Sequence, residues 1–214
     1  MSARYADVIG PLRRAYDGGA GRRDGSGKQP WKLAERAAFL ERVREDGGRR
    51  LLEVGAGTGQ DSAYFLANGL DVVAVDLSPE MVERCREKGV DAHVMDFLHL
   101  DFAPGSFDAV YAMNCLLHVP DEDLPAVLDA IRTLLRPGGL LYVGVYGGGT
   151  LRGEGPYDGD DHDPPRFFSF RTDEELQAFT SGSFRTVDFH VVGVDALRFQ
   201  SLTLRGWAPS ERAG

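Results

Sequence analysis

Leu51-Leu52-Glu53-Val54-Gly55-Ala56-Gly57-Thr58-Gly59-Gln60-Asp61 is the stretch on which the reading of this chain turns. Its apolar start ends in an acid, glycines alternate at 55, 57 and 59, and Ser62-Ala63-Tyr64-Phe65-Leu66 then takes up a helical pattern. Glycine allows a tight turn and lets a ligand touch the main chain where a Cβ would intrude. The N–H groups that open the next helix lack partners within it and suit an anion such as a carboxylate or phosphate. The segment therefore predicts strand, loop and helix around a nucleotide-like ligand.

Outward from it, strands and helices alternate. Residues 50–55 read as the first strand, 61–68 as a helix and 71–76 as the second strand. Ser78-Pro79-Glu80 opens the next helix with an N-cap, a proline at the first position and an early acid. Residues 90–95 and 107–112 read as strands three and four, 121–135 as a helix stopped by Arg136-Pro137-Gly138-Gly139, and 140–146 as strand five. Thr172-Asp173-Glu174-Glu175 fits a capping box before a last helix, with closing strands at 185–192 and 197–204. Upstream, residues 1–16 read as a short helix carrying Tyr5, Val8, Ile9, Leu12 and Tyr16. Residues 17–29, rich in Gly and Arg, read as a mobile loop, and 31–45 as a second helix. The tail beyond Trp207 is expected to be loose. The alternation predicts an α/β, mainly parallel sheet covered on both faces. Ligands in such sheets sit outside the carboxyl ends of the strands, which is where the glycine loop falls.

Composition narrows the function. The 214 residues suit one domain, and 43% hydrophobic with 27% charged residues is ordinary for a soluble protein. No run approaches the ~20 apolar residues of a membrane span, and the first residues lack an apolar signal core, so no membrane partner is expected. Cys85 and Cys115 form neither a disulfide framework nor a zinc pattern, which points to a cytoplasmic protein without a structural metal. A net charge of −9 argues against a nucleic-acid partner. The basic residues are nearly all arginine, a bias that hints at a GC-rich bacterial genome.

Spacing separates three candidate ligands. A P-loop fails: the sole Gly-Lys pair, Gly27-Lys28, is followed by Gln29 and has Arg22 where the first glycine belongs. A dinucleotide fingerprint is matched by Gly55 and Gly57, but Gln60 takes the third place and Gly59 comes one residue early. Tyr-x-x-x-Lys is absent, so an NAD(P)-dependent oxidoreductase is a remote alternative. The third pattern fits. Glu53-Val54-Gly55-Ala56-Gly57-Thr58-Gly59 closely resembles motif I of the class I S-adenosylmethionine-dependent methyltransferases. Asp76 at the end of strand two, Met95-Asp96-Phe97 after strand three, Phe107-Asp108-Ala109-Val110-Tyr111 and Leu135-Arg136-Pro137-Gly138-Gly139 follow in the family's order.

The resemblance implies a Rossmann-like, doubly wound sheet of seven strands with helices on both faces and an antiparallel last strand. It implies S-adenosylmethionine as cofactor and S-adenosylhomocysteine as product. On this reading Gly55, Ala56, Gly57 and Gly59 hold the carboxylate, Glu53 favours the ammonium, and Asp76 accepts from the ribose hydroxyls. Leu77 and Met81 sandwich the adenine, Asp96 takes its amine, Phe97 lies beside the ring, and Asn114 completes the cofactor site. Residues 1–46 are then a helical lid, 50–146 the cofactor-binding core, 147–171 an insertion over the acceptor pocket and 172–204 the closing elements.

The acceptor side is less legible, because methyl transfer works largely by alignment and needs a strong base for few nucleophiles. The candidates for base are His118, His162 and Tyr146. His118 precedes Val119-Pro120 and has a pKa suited to the task, although such a histidine also organises loops. His162 lies in an insertion with Tyr157, Asp158, Asp160, Asp161 and Asp163, followed by Phe167, Phe168 and Phe170. The aspartates read as a solvated loop in preference to a metal site, and the phenylalanines as an apolar wall or as anchors to the core. The expected function is methyl transfer to oxygen, nitrogen or carbon of a small molecule, with a specialised metabolite the first expectation. A protein or RNA methyltransferase and a non-catalytic cofactor-binding module are the alternatives, and oligomeric state is not legible.

Overall fold

The computed structural model describes residues 3–25, 27–154, 162–194 and 197–207. In chain order these form α1 (Tyr5–Asp24), α2 (Pro30–Glu45), β1 (Arg50–Val54), α3 (Gln60–Ala67), β2 (Asp71–Asp76), α4 (Pro79–Glu87) and β3 (Asp91–Val94). There follow β4 (Phe107–Met113), a 3-10 turn (Leu116–His118), α5 (Leu124–Leu134), β5 (Leu135–Gly147), β6 (Arg152–Glu154), β7 (Phe167–Ser169), α6 (Asp173–Ser181), β8 (Phe184–Val194) and β9 (Leu197–Gly206). The expectations for Tyr157, Asp158, Asp160 and Asp161, and for residues 208–214, lie outside the described residues.

Seven strands make one sheet in the order β3-β2-β1-β4-β5-β9-β8. The pairs from β3 to β5 are parallel, and the last strand, β9, runs antiparallel to both β5 and β8. Consecutive strand residues face opposite layers, as a pleat requires. Leu52, Val54, Val73, Val75, Val110 and Ala112 join one core with Leu128 and Ile131 of α5 and Leu176 of α6. Leu51, Val72, Ala74, Ala109 and Tyr111 join the other, with Phe39 and Val43 of α2, Phe65 of α3 and Val82 of α4. Apolar residues at consecutive strand positions are thus what a sheet covered on both sides requires.

Local signals hold where they are strongest. Ser78 caps α4 by accepting from the Met81 amide at 3.2 Å, and Thr172 with Glu175 closes the capping box of α6. Three expectations are corrected. Residues 17–24 are not a mobile loop: α1 continues through them, although three glycines there disfavour helix by ~1 kcal/mol each. Tertiary contacts outweigh that propensity. Val8 and Leu12 of α1 are buried against Phe167, Asp17 accepts from the Ser78 hydroxyl, and Arg13 donates to the Leu77 carbonyl. Secondly, α5 ends at Leu134 and β5 begins at Leu135, with the register slipping between Phe107 and Ala109 to absorb Pro137-Gly138-Gly139. Thirdly, the insertion is not structureless, because β6 and β7 pair antiparallel across it.

Candidate active site

The glycine loop lies at the carboxyl end of β1, beside the crossing from β1 to β4 at which the strand order reverses. Gly55, Gly57 and Gly59 have φ of 66°, 56° and 75°, a region that side chains other than glycine rarely enter. Crowding adds to this. A Cβ on Gly55 would stand 2.4 Å from the Cys115 Cβ, and one on Gly59 2.8 Å from the Cys85 sulfur. At these two positions glycine is required by the protein's own packing as well as by any ligand. The amides of Ala56, Gly57 and Gly59 are bonded internally, to Val75 O, Asp76 Oδ2 and Ala56 O at 3.1, 2.8 and 3.1 Å. An anion therefore falls to the first turn of α3, which no side chain caps.

Two cavities meet at Gly55, Gly57, Met113 and Asn114. The first is an apolar crevice of about 50 Å³ whose further lining includes Tyr5, Tyr16, Asp76, Leu77, Phe97 and His118. Asp76 accepts from the Ser78 amide at 2.9 Å as well as from Gly57, so it is aimed by backbone on two sides. Phe97 stacks on Tyr5 of α1 at 5.9 Å. Leu77 lines this crevice, but Met81 and Asp96 line neither cavity. Met81 belongs to the buried face of α4, and Asp96 is drawn into its own turn, accepting from the Leu98 and His99 amides at 2.8 and 3.2 Å.

The second cavity is polar, about 350 Å³, and takes in Lys28, Gln29, Lys32, Glu53, Asp61 and Tyr146. Glu53 is 3% exposed and accepts from the Ser62 hydroxyl. Burial, helped by the negative charge of Asp61, pushes its carboxyl up to about 8. Asp61 is itself buried between Lys28 and Arg36, the latter at 2.9 Å. Sequence reasoning missed this Lys28–Asp61–Arg36 group. Its one available signal was that Lys28 and Lys32 are two of only three lysines in the chain. Tyr146 sits at the cavity edge, packed on Trp31 and Phe199 with the Lys32 ammonium 5.3 Å from its ring.

Asn114 joins the two cavities. Its φ of 55° is the one positive value among the described non-glycine residues, its amide donates to Gly144 O at 2.7 Å, and its Oδ1 is buried with no partner. A buried carbonyl oxygen left unpaired is costly, so a strained residue that presents one to a cavity marks a place for a ligand's donor.

His118, 3% exposed, is held on both ring nitrogens. Nδ1 lies 2.7 Å from Phe167 O and Nε2 lies 2.6 Å from the Tyr16 hydroxyl. A carbonyl can only accept, so Nδ1 carries the proton, and Nε2 accepts from Tyr16. Arg166 donates to the Tyr16 oxygen at 3.1 Å. His162 touches this group through the Tyr16 ring, 5.9 Å centre to centre, and lines neither cavity. Phe167, Phe168 and Phe170 are buried in the core clusters and line neither cavity, so they anchor the insertion rather than wall the site. Among the described residues no group of His, Cys, Asp or Glu is arranged to hold a metal, and no helix is long and apolar enough to cross a membrane.

Comparison with known proteins agrees with this geometry. A family model described as a methyltransferase domain matches residues 51–139. The ubiquinone biosynthesis O-methyltransferase of Xanthomonas campestris pv. campestris (strain B100) is 40% identical over 103 residues, 45% of this chain and 42% of that protein. The chain thus spans less than half the length of such curated relatives. The crystal structure of Burkholderia thailandensis 1,6-didemethyltoxoflavin-N1-methyltransferase, with 1,6-didemethyltoxoflavin and S-adenosylhomocysteine bound, superposes with a TM-score of 0.73 at 25% identity. It covers 97% of this chain and 92% of that one. The 4+2 cyclase SpnF shares the fold at a TM-score of 0.66 and 20% identity, covering 97% and 98%. Residues 51–139 thus match a methyltransferase domain, and the whole fold is shared with a methyltransferase that binds S-adenosylhomocysteine.

Proposed function

We propose that the chain transfers the methyl group of S-adenosylmethionine to nitrogen, oxygen or carbon of a small-molecule acceptor by in-line displacement. The observation that carries this reading is the meeting of an apolar and a polar cavity at Asn114 and the glycine loop. The cofactor has the same two halves. The residues present fit it: Asp76, Leu77 and Phe97 suit the adenosine, while Glu53, Lys28 and the start of α3 suit the amino-acid end. Adenine recognition rests here on Phe97 and Leu77, while Asp96 is drawn into its own turn. Glu53, its carboxyl raised to about 8 by burial, is suited to ionise beside an ammonium.

When bound, the cofactor supplies a methyl group on positively charged sulfur that needs no further activation. The protein's part is to align the nucleophile and keep water out, which is worth up to ~7–11 kcal/mol. Residues 1–46 act as the cover, since Tyr5, Leu12 and Tyr16 of α1 close the crevice. His118 is the base for a nucleophile that must lose a proton, its lone pair on Nε2 being directed at Tyr16 and the crevice. Tyr146 holds a lesser place at the rim of the polar cavity, and His162 stands behind the Tyr16 ring. The two named methyltransferase relatives, one acting on oxygen in ubiquinone biosynthesis and one on N1 of 1,6-didemethyltoxoflavin, support a small acceptor. The net charge of −9 and two cysteines outside any disulfide support a cytoplasmic enzyme without a nucleic-acid or membrane partner.

Turnover decides the matter. Purified chain incubated with methyl-labelled S-adenosylmethionine and a panel of phenols, catechols and N–H heteroaromatics is expected to yield labelled product and S-adenosylhomocysteine. Tight S-adenosylhomocysteine binding without turnover across the panel would favour a non-catalytic module. A thermal shift with NAD(P) and none with S-adenosylhomocysteine would sink the reading entirely.

A further inference from the structure

The arrangement around His118 leaves one buried charge without a role. Arg171 closes the insertion and is 2% exposed, among the largest fully buried side chains of the described residues. Burying a guanidinium is costly unless its donors find acceptors. Here Nε donates to Asp121 Oδ1 at 2.8 Å and Nη2 to Val119 O at 2.6 Å, while Nη1 lies 3.4 Å from both Leu116 O and Ser169 O. Burial pulls its pKa down to about 10, with Asp121 opposing, so the group stays charged at neutral pH.

These acceptors fall on two segments. Leu116 and Val119 bracket His118 in the 3-10 turn, and Asp121 follows it. Ser169 ends β7, the strand whose Phe167 carbonyl receives the Nδ1 proton of His118. Asp121 reinforces the junction by accepting from the Ser169 hydroxyl at 3.0 Å and from Arg152 of β6 at 2.7 Å. One rigid planar group therefore grips both the turn that presents the imidazole and the strand that presents its acceptor.

We propose that Arg171 is a positioning residue that fixes His118 as its Nδ1–H tautomer by holding the 116–121 turn against β7. A histidine ring without such a partner favours the proton on Nε2, which would leave no lone pair facing Tyr16 and the crevice. The tautomer is set by the hydrogen bond made at the other nitrogen, and that bond exists only while the two segments keep their spacing. Lysine is no substitute, because a single ammonium cannot span four acceptors lying in a fork. The consequence for turnover rests on the reading of His118 as the base; the structural claim does not.

Nitrogen-15 histidine labelling of the full chain, with S-adenosylhomocysteine as the only added ligand, tests this directly. Two-bond nitrogen–proton spectra distinguish the tautomers, and His118→Gln assigns the signal among the five histidines. The unaltered chain is expected to show a single Nδ1–H form. Arg171→Met should show a mixture or the Nε2–H form, with S-adenosylhomocysteine affinity unchanged. Arg171→Lys keeps the charge and one donor, so it should fall between and serves if the methionine variant does not fold. An unchanged Nδ1–H tautomer in either folded variant overturns the proposal. With an acceptor from the panel, loss of the outer partner should lower kcat ~10–100-fold with little change in the cofactor's KM. A tautomer shift that leaves kcat intact upholds the positioning role and defeats instead the assignment of His118 as base.

Discussion

The two ends of the site are built by opposite means. The cofactor end is assembled from neighbours in sequence: Glu53, the glycine loop, Ser62 and Asp76 are gathered by two adjacent parallel strands and the helix between them. The acceptor end is assembled from segments far apart, with Tyr16 on α1, His118 after β4, and Phe167 and Arg171 on either side of β7's end. The contacts among Glu53, Gly57, Ser62 and Asp76 sit within one strand–loop–helix–strand unit, to which Lys28 and Arg36 add a grip on Asp61 from outside. Those at the acceptor end exist only once the sheet has placed three distant segments side by side.

Substitutions can break this contrast. The largest expected effect is on chemistry at the acceptor end: His118→Ala should lower kcat ~10²–10⁴-fold, as for loss of a general base. S-adenosylhomocysteine affinity, measured by calorimetry, should hold. Equal losses in both would mean that the two ends are not separable at this residue. Next comes the cofactor end's own packing. Gly55→Ala meets the Cys115 side chain and a left-handed backbone, costing ~1–3 kcal/mol for overpacking and a further ~1–2 kcal/mol for the conformation. Thermal unfolding should record it, and Cys115→Gly in the same chain should relieve the clash but not the backbone cost.

Asp76→Ala removes a carboxylate that holds the Gly57 and Ser78 amides and is aimed at the crevice. A charge-assisted hydrogen bond is worth ~1.5–3 kcal/mol, so S-adenosylhomocysteine should bind roughly 10–100-fold more weakly while the circular dichroism spectrum holds. Tyr16→Phe, which keeps the ring that closes the crevice and removes only the hydroxyl bonded to His118, should leave that affinity intact. A further effect concerns pH. The Glu53 carboxyl is raised from 4.5 to about 8 in the fold, so the folded chain holds this proton more tightly than the unfolded one does. Its contribution to stability is fully present below pH 4.5 and is lost as pH rises through about 8. Glu53→Gln should flatten that decline in denaturant unfolding of the cofactor-free chain, and an unaltered slope would show that Glu53 ionises freely.

What was legible in the sequence follows the same divide. Glycines at alternate positions, an acid at the end of the second strand, Ser78 at an N-cap and the Thr172–Glu175 box are local chemistry, and each lies where the pattern put it. Asp96 and Met81 carry the right spacing, yet one bonds to its own turn and the other lies on the buried face of α4. Spacing locates a residue on an element without deciding which way its side chain turns. Helix α1 was half missed because Gly18 and Gly19 speak against helix, and only contacts with α4 and β7 override them. Arg171 gave no signal, since an arginine destined for burial is spelled no differently from one on the surface.

By itself the sequence determined a two-sided, mainly parallel sheet, a glycine loop at the end of its first strand and the acid that ends the second, because strand pleating, turn geometry and capping act over a few residues. Only the tertiary structure decided that α1 closes the crevice, that Asp61 is gripped by Lys28 and Arg36, and that His118 is held by Tyr16, Phe167 and the frame around Arg171. Those partners lie far apart in the chain. Their meeting depends on the summed packing of the sheet and its helices, for which no short stretch carries a pattern.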